Sequence, residues 1–456
     1  VAKLILGPLL RRVTGNQAVI WLQTDSDTEV TVIAGEARAT VRTKEIHGIH
    51  LALPVLSDLP EGRTPYVVQL DGEQVWPLPE FPASTILVGT GEETRIAFGS
   101  CREPFAHGTD ALAAFAERAR TDGRLPDLLA LIGDQIYADI PHRPRVTTFE
   151  DYVALYHEAW SPPAVRWLLS TIPTIMIFDD HEIIDDWNSS ARWLGDIQQR
   201  SWWKSRISAG LTSYHLFQHL GNLTPAELAR ADWTEPPQRW GYTVDIGRTR
   251  LIMLDCRGSR VLTGKRRMFP QDEWDRLAQD SQADCDHLLI ACSLPWLLAP
   301  AIDLAEHVVE QLSERHGGRV ERFRRKYDLE HWAAVGDSFA ELTEVIKAVR
   351  KPSTVSVLGG DVHHSYVVQA LFPGTPKVHQ LTCSPLNNSV SWVMRSMLKT
   401  AWATPFPHGL VKRKRLMKPF FGNAIATLSH RDRTASVSFE SPGADGQLAT
   451  IFTKTL

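Results

Sequence analysis

Paired cysteines, a hydrophobic leader, long apolar runs and a large net charge are all missing from this sequence, and each absence removes a class of function. The five cysteines stand at 101, 256, 285, 292 and 383, without the spacing of a disulfide framework or a zinc finger, so a reducing compartment is the simpler expectation. Gly7 and Pro8 break the N-terminal apolar run, which does not have the layout of a signal peptide. A cytoplasmic setting is therefore expected, with export after removal of an upstream leader as the alternative. No run is long enough to span a membrane. The formal net charge of −4 gives no bulk attraction to nucleic acid or anionic lipid. Neither partner is expected, and anion binding has to be local. There is no internal repeat, and nothing speaks to oligomeric state.

What is present is core material for more than one domain, at 456 residues and 43% hydrophobic. Leu10 to about Val75 consists of short β-rich runs, "AVIWLQ", "TEVTVIA", "HGIHLALPVL" and "YVVQLDG", between turn residues. These predict a small all-β sandwich over residues 1–90. Tyr66, after a Leu-Pro-Glu-Gly turn, is similar to the corner tyrosine of fibronectin type III modules, whose hydroxyl ties down a loop. Pro77 to Pro82 is expected to be the linker. From Thr94 the pattern becomes α/β: "TRIAFGS", "DLLALIGD", "TIMIFDD", "RLIMLDC", "HLLIACS" and "TVSVLGGD" are buried strands spaced by helix-like text. This predicts a second domain over 91–456, with helical insertions at about 190–240 and 300–350 around the rim. The tail, "NAIATLSH", "TASVSFE" and "LATIFTKTL", is expected to complete a second sheet.

Five of those six runs end in an acid, a cysteine or a glycine-acid pair, and ligand chemistry gathers outside the carboxyl ends of such strands. "FDDHEIIDDWN" crowds Asp179, Asp180, His181, Glu182, Asp185 and Asp186 into one turn, where repulsion is costly unless cations neutralise it. "LGGDVHHS" sets Asp361 and His363 on alternate positions, a spacing that grips one metal, with His364 beside them as a substrate-facing candidate. Asp134 in "GDQIYAD" is the natural bridge between two ions, which two-metal hydrolases hold about 3.5–4 Å apart. A thiolate from Cys101 and a phenolate from Tyr137 suit iron, as Fe3+; a second, carboxylate site suits Ca2+, or Mn2+ or Mg2+.

The order Ser-Cys, Gly-Asp-x-Ile-Tyr, Asp-Asp-His-Glu and Gly-Asp-Val-His resembles the alkaline phosphatase D (PhoD-like) family, as do "LDCRGSR" and "FPQDEWDRL" between the motifs. The resemblance implies a fibronectin-like N-terminal domain before a four-layer αββα metallophosphatase sandwich. It also implies phosphomonoesterase or phosphodiesterase activity, with iron and calcium in some members. Carried over by position, Cys101, Asp134, Tyr137 and His363 hold one metal, and Asp134, Asp180 and Asp361 serve the second or bridge. Asp185 is the alternative to Asp180. His181 would face the substrate, able to protonate the departing alkoxide or to hold a phosphoryl oxygen. The family text is departed from by the wider superfamily at two places, where this chain has Cys292-Ser293 and Gly-Asp-Val-His instead of histidine ligands.

The expected mechanism is in-line attack on phosphorus by a metal-activated hydroxide at a binuclear site. Arg257 is a candidate for the developing charge and Arg260 for substrate phosphate, although an arginine pair near a surface more often forms a salt-bridging scaffold. Trp193, Trp202 and Trp203 are expected in the core. The basic runs "RFRRKYD" and "KRKRLMK" read as solvated faces. Two readings of other classes compete: a cysteine hydrolase using Cys101 or Cys292, and a catalytically inactive, phosphatase-like binding protein.

Overall fold

Alternation of apolar and polar residues along the first ninety positions becomes ten strands in the computed structural model, which describes residues 2–141, 143–316, 320, 322–323, 329–374, 376–404 and 410–456. They are β1 (Leu4–Thr14), β2 (Gln17–Thr24), β3 (Glu29–Ala34), β4 (Ala37–Arg42), β5 (Lys44–Ile46), β6 (Ile49–Ala52), β7 (Val55–Leu56), β8 (Gly62–Leu70), β9 (Glu73–Trp76) and β10 (Thr85–Val88). One sheet runs β1-β2-β6-β5 with β7 on β2, the other β10-β8-β3-β4 with β9 on β8. Between them Leu10, Ile20, Leu22, Val30, Val32, Val68 and Trp76 form a core of their own. The passage from Pro77 to Pro82 is not the linker, because β10 follows it and pairs with β8. The chain leaves this unit only after Val88.

The outer face of β1 and β2 is not solvated. Arg11 is fully buried and donates through Nε to the carbonyl of Thr174 (2.8 Å), through Nη1 to Phe217 (2.9 Å) and through Nη2 to Gln218 (2.7 Å). The Trp21 indole donates to the carbonyl of Leu216 at 2.8 Å. Tyr66 also differs from the corner tyrosine it resembles, since its hydroxyl donates to the carbonyl of Ser170 at 2.6 Å. It fastens the β-unit to the next domain instead of tying down its own loop.

That domain holds two mixed sheets. The first has six strands in the order β13 (Thr174–Ile177), β12 (Leu128–Ile132), β11 (Thr94–Gly99), β21 (Ile425–Arg431), β22 (Thr434–Pro442) and β23 (Leu448–Thr455). The second has seven: β14 (Tyr242–Ile246), β15 (Thr249–Met253), β16 (His287–Ala291), β17 (Thr354–Gly359), β19 (Lys377–Thr382), β18 (Ser365–Ala370) and β20 (Arg413–Phe420). Successive side chains on a strand point to opposite faces. Accordingly Ile96, Phe98, Ala130, Ile132, Leu251, Met253, Leu289 and Leu358 meet between the sheets, while Ala97, Leu129, Leu131 and Met176 pack outward on helices. Ile252, Ile290, Val355 and Val357 do the same on the other side. Strands buried on both faces carry the continuous apolar runs seen in the text, and the result is the four-layer sandwich.

Two assignments shift. The tail strands β21 to β23 do complete one of two sheets, but it is the one that also holds β11, β12 and β13, with β21 on the edge of β11 opposite β12. The segment about 190–240 is only partly rim: its π-helical turn His215–His219 receives Arg11 and Trp21 and sends Gln218 toward the site described below. Trp193 and Trp203 are buried in the core between the sheets, with Trp202 partly covered against it. The run Arg322 to Asp328 lies largely outside the described residues. Among those described, no helix is long and apolar enough to cross a membrane.

Candidate metal centre

The carboxyl ends of β11, β12, β13 and β17 converge on one point, and the chain turns sharply at each. Cys101 (φ 57°), Asp134 (φ 53°), Asp361 (φ 62°) and His363 (φ 49°) all sit in the left-handed region, which non-glycine residues occupy at a cost of about 1–3 kcal/mol each. Surrounding contacts hold them there. The loops after β11 and β12 are cross-linked by hydrogen bonds from Cys101 N to the Gly133 carbonyl (3.1 Å) and from Arg102 N to the Asp134 carbonyl (2.9 Å). Gly133 (φ 109°) has no room for a side chain, because a Cβ would lie 2.8 Å from Cβ of Asp179.

Glu182 is the clamp beneath. Its carboxylate accepts from Asp134 N (3.1 Å), Asp179 N (2.9 Å), Gln135 N (2.8 Å) and the Gln218 amide (3.1 Å). Burial pushes it up to about 6, against the pull of those donors. Its role is to align the Asp134 loop with the Asp179–His181 loop.

Three sets of donor atoms lie mutually within 4.8 Å: Cys101, Asp134 and His363; Asp134, Asp180 and His181; and Asp134, Asp179, Asp180 and Asp361. Asp134 is common to all three. Among the described residues, Asp134 Oδ2, Asp179 Oδ2 and Asp180 Oδ1 are buried without a hydrogen-bond partner. Buried unpaired carboxylate oxygens are costly, and a bound cation would relieve their crowding. Burial and then mutual repulsion push Asp134 and Asp180 well above the carboxylate range, and Asp179 up to about 7. Burial, with the charges of Asp134 and Asp361, also raises the Cys101 thiol, which accepts or shares hydrogen bonds with Ser100 and Ser384 hydroxyls at 3.2 Å. The donor set of thiol, imidazole and shared carboxylate fits a metal pair, with one softer and one harder half.

On the open side, His181 is 23% exposed at its side chain and turns Nδ1 to Asp139, 2.9 and 3.0 Å from the two oxygens. Burial works to lower its pKa, but Asp139, Asp134 and Asp180 hold it well above the usual histidine value. The Tyr137 ring leans on His181 at 4.6 Å, and its hydroxyl accepts from the Asn388 amide at 2.9 Å. The Tyr137 pKa is raised by burial and then by Asp134 and Cys101, which places the hydroxyl in their field.

Four sequence candidates fall elsewhere. Arg257 is fully buried behind the cluster, with Nε on Asp179 (2.5 Å), Nη1 on Glu330 (2.5 Å), and Nη2 3.4 Å from both Asp180 and Asp361. It is a scaffold cation without a free face for phosphate. Arg260 donates to the carbonyls of Cys256 (2.7 Å) and Glu330 (3.1 Å). His364 cannot face a substrate, since Nδ1 donates to the Val362 carbonyl (2.7 Å) and Nε2 accepts from the Trp402 indole (3.0 Å). Asp185 is exposed and belongs to none of the three donor sets, whereas Asp180 belongs to two.

Other residues were given no site role in the sequence. Asp139 stood two positions past Tyr137, within the quoted motif. Asp179 was hidden by its neighbour. His331, in the segment read as a rim insertion, joins Glu306 (Nδ1, 2.7 Å) to Asp361 (Nε2, 3.1 Å). With a carboxylate at each nitrogen it is held charged, despite burial. No local signal marks it, because Glu306 and Asp361 come together only in the fold.

A family model described as PhoD-like phosphatase matches residues 96–394, and one described as a domain of unknown function (DUF7800) matches 1–87. A solved structure of PhoD superposes with a TM-score of 0.71 at 12% identity, over 99% of this chain and 89% of that one. Purple acid phosphatase PPD1 isolated from seeds of yellow lupin (Lupinus luteus) gives 0.58 at 10% identity, over 98% and 74%. At such identities the likeness concerns the fold. A search of curated proteins finds no match.

Proposed function

The chain belongs to the PhoD-like phosphatase family of phosphoric-ester hydrolases, and from that premise we propose that it works at a binuclear metal centre held by Cys101, Asp134, Tyr137, Asp180, Asp361 and His363. The carrying observation is the trio of buried, unpartnered oxygens on Asp134, Asp179 and Asp180, gathered beside a buried thiol and an imidazole. Asp134, common to all three donor sets, would be shared between the two ions. Cys101, Tyr137 and His363 form the softer half, suited to Fe3+, and Asp180 with Asp361 the harder half, suited to Ca2+, Mn2+ or Mg2+. Asp179 is shared between this half and Arg257.

Bound ions supply charge for the phosphoryl oxygens and lower the pKa of water. The chain's own groups do the rest. Asp139 accepts a hydrogen bond from Nδ1–H of His181 and favours the protonated ring, so Nε2–H can give its proton to the departing oxygen while Nδ1–H stays on the ring. Arg257 and His331 hold Asp361 from two sides and keep it ionised. Neither Cys101 nor Cys292 has a histidine hydrogen-bonded to sulfur among the described residues, and burial raises Cys101, the reverse of an activated nucleophile.

The test is elemental analysis of the purified protein, together with hydrolysis of p-nitrophenyl phosphate and bis(p-nitrophenyl) phosphate before and after chelation. Stoichiometric iron with a second divalent ion, and loss of both hydrolyses with their removal, is expected. Undiminished hydrolysis by metal-free protein would sink the binuclear reading.

A further inference from the structure

The helix Trp392–Ala403 is built the wrong way round for a globular surface. Amphipathic helices turn their apolar stripe inward, yet here Trp392 is 79% exposed, and Val393, Met394 and Met397 are exposed with it. At 100° per residue these four cover one side of the helix, and the buried Trp402 lies opposite. Among the described residues, four of the nine large exposed hydrophobic side chains belong to this one helix. It packs beside the helix Pro300–His316, which exposes Val308 and Leu312.

The charge of the segment that carries it is of one sign. Between Asp361 and Asp432 the chain has no Asp or Glu and nine Lys or Arg, although its net charge overall is −4. Arg395 and Lys399 sit over the Phe421 ring, at 5.4 and 5.9 Å, flanking the apolar side. The edge strand β20 adds exposed Lys414, Arg415 and Lys418, and Arg415 is tied to the helix through the Trp402 carbonyl at 3.1 Å. Bulk charge therefore conceals a local surface in which an exposed tryptophan and two methionines stand among cations without a single anion in the segment.

We propose that this helix and the β20 edge form a docking surface for an anionic phospholipid bilayer. An interfacial helix buries an apolar face to the depth of the headgroups while Lys and Arg meet anionic lipid, and Trp favours that boundary. A polyanion would satisfy the cations alone and leave Trp392, Val393, Met394 and Met397 in water. The bilayer satisfies both. The helix is also fastened to the catalytic site at each end: Asn388, just before it, holds Tyr137, and Trp402 holds His364 next to His363.

The test is co-sedimentation of the full chain with vesicles of phosphatidylcholine, alone or mixed with phosphatidylglycerol. Binding to the mixed vesicles, weak binding to phosphatidylcholine alone, and release by salt are expected. Trp392→Ser combined with Met394→Ser should weaken binding about tenfold or more. Lys414→Glu with Lys418→Glu should weaken it comparably, and both variants should keep wild-type circular dichroism and hydrolysis of a soluble ester. The proposal is overturned by any of three results: no binding to mixed vesicles; binding unaffected by the Trp392 and Met394 changes, which would indicate a polyanion site; or a dimer in sedimentation that those changes dissolve.

Discussion

The Nε of Arg257 lies 2.5 Å from Oδ1 of Asp179, beneath the ligand cluster and out of reach of solvent. Removing one partner of such a buried pair leaves the other charge unpaired, at a cost of about 3–5 kcal/mol. Arg257→Met should therefore lower the melting temperature strongly and weaken metal retention, and Arg257→Lys should not restore it, because one ammonium cannot address Asp179 and Glu330 in the same fork. A variant with unchanged melting temperature and only a raised KM would return Arg257 to the substrate.

Asp134→Asn should abolish metal retention and hydrolysis together, yet stabilise the metal-free protein. Its carboxyl is raised by burial and then, against the pull of His181, by Asp179, Glu182 and Asp361, so removing the charge relieves the metal-free fold. Thermal melts in chelator, set against elemental analysis, read both effects. A lower melting point in chelator would mean that Asp134 is not under repulsion.

Asp139→Asn should reduce kcat on an ester with a poor leaving group by about tenfold to a hundredfold, and His181→Ala by more, within the usual span of general acid catalysis. Metal content should be unchanged in Asp139→Asn, since Asp139 belongs to no donor set, whereas His181 belongs to one. An activated leaving group such as p-nitrophenolate should show a smaller loss. Equal losses on both ester types would remove His181 as the proton donor.

The legible part of the site was the part written at strand ends. Cys101, Asp134, Asp180, Asp361 and His363 each follow a buried apolar run, so position along the chain and position in space coincide. Arg257 was visible as a residue but not as a scaffold, because its partners come from three other loops and the text cannot show which face of a guanidinium is free. His331 had no signature at all: its two carboxylate partners are 25 residues before it and 30 after. The same limit governed the sheets. Strands were readable from composition, but the partner of β21 was decided by β11 having a free edge.

Acid should destabilise the fold before it protonates most carboxylates. Burial depresses His379 to about 4 and His430 to about 3, from an ordinary value of 6.5. Both are neutral in the fold, while the unfolded chain takes up their protons below 6.5. Their contribution is thus complete above pH 6.5 and is lost as pH falls toward 4, at up to about 1.4 kcal/mol per pH unit for each histidine. His430→Phe keeps a ring against His287, which it stacks at 4.1 Å, and should flatten the pH dependence of unfolding free energy by close to one proton. An unchanged slope would show that His430 is charged in the fold.

Arg11 belongs to the β-unit, yet the carbonyls it satisfies belong to the strand and turn that carry and brace the Asp179–His181 loop. Neither unit can let go without stranding a buried guanidinium on one side and bare carbonyls on the other. The two should therefore melt in one cooperative transition despite having separate cores. A domain that contributes no ligand and no proton to the chemistry thereby governs how long the catalytic loop survives heat.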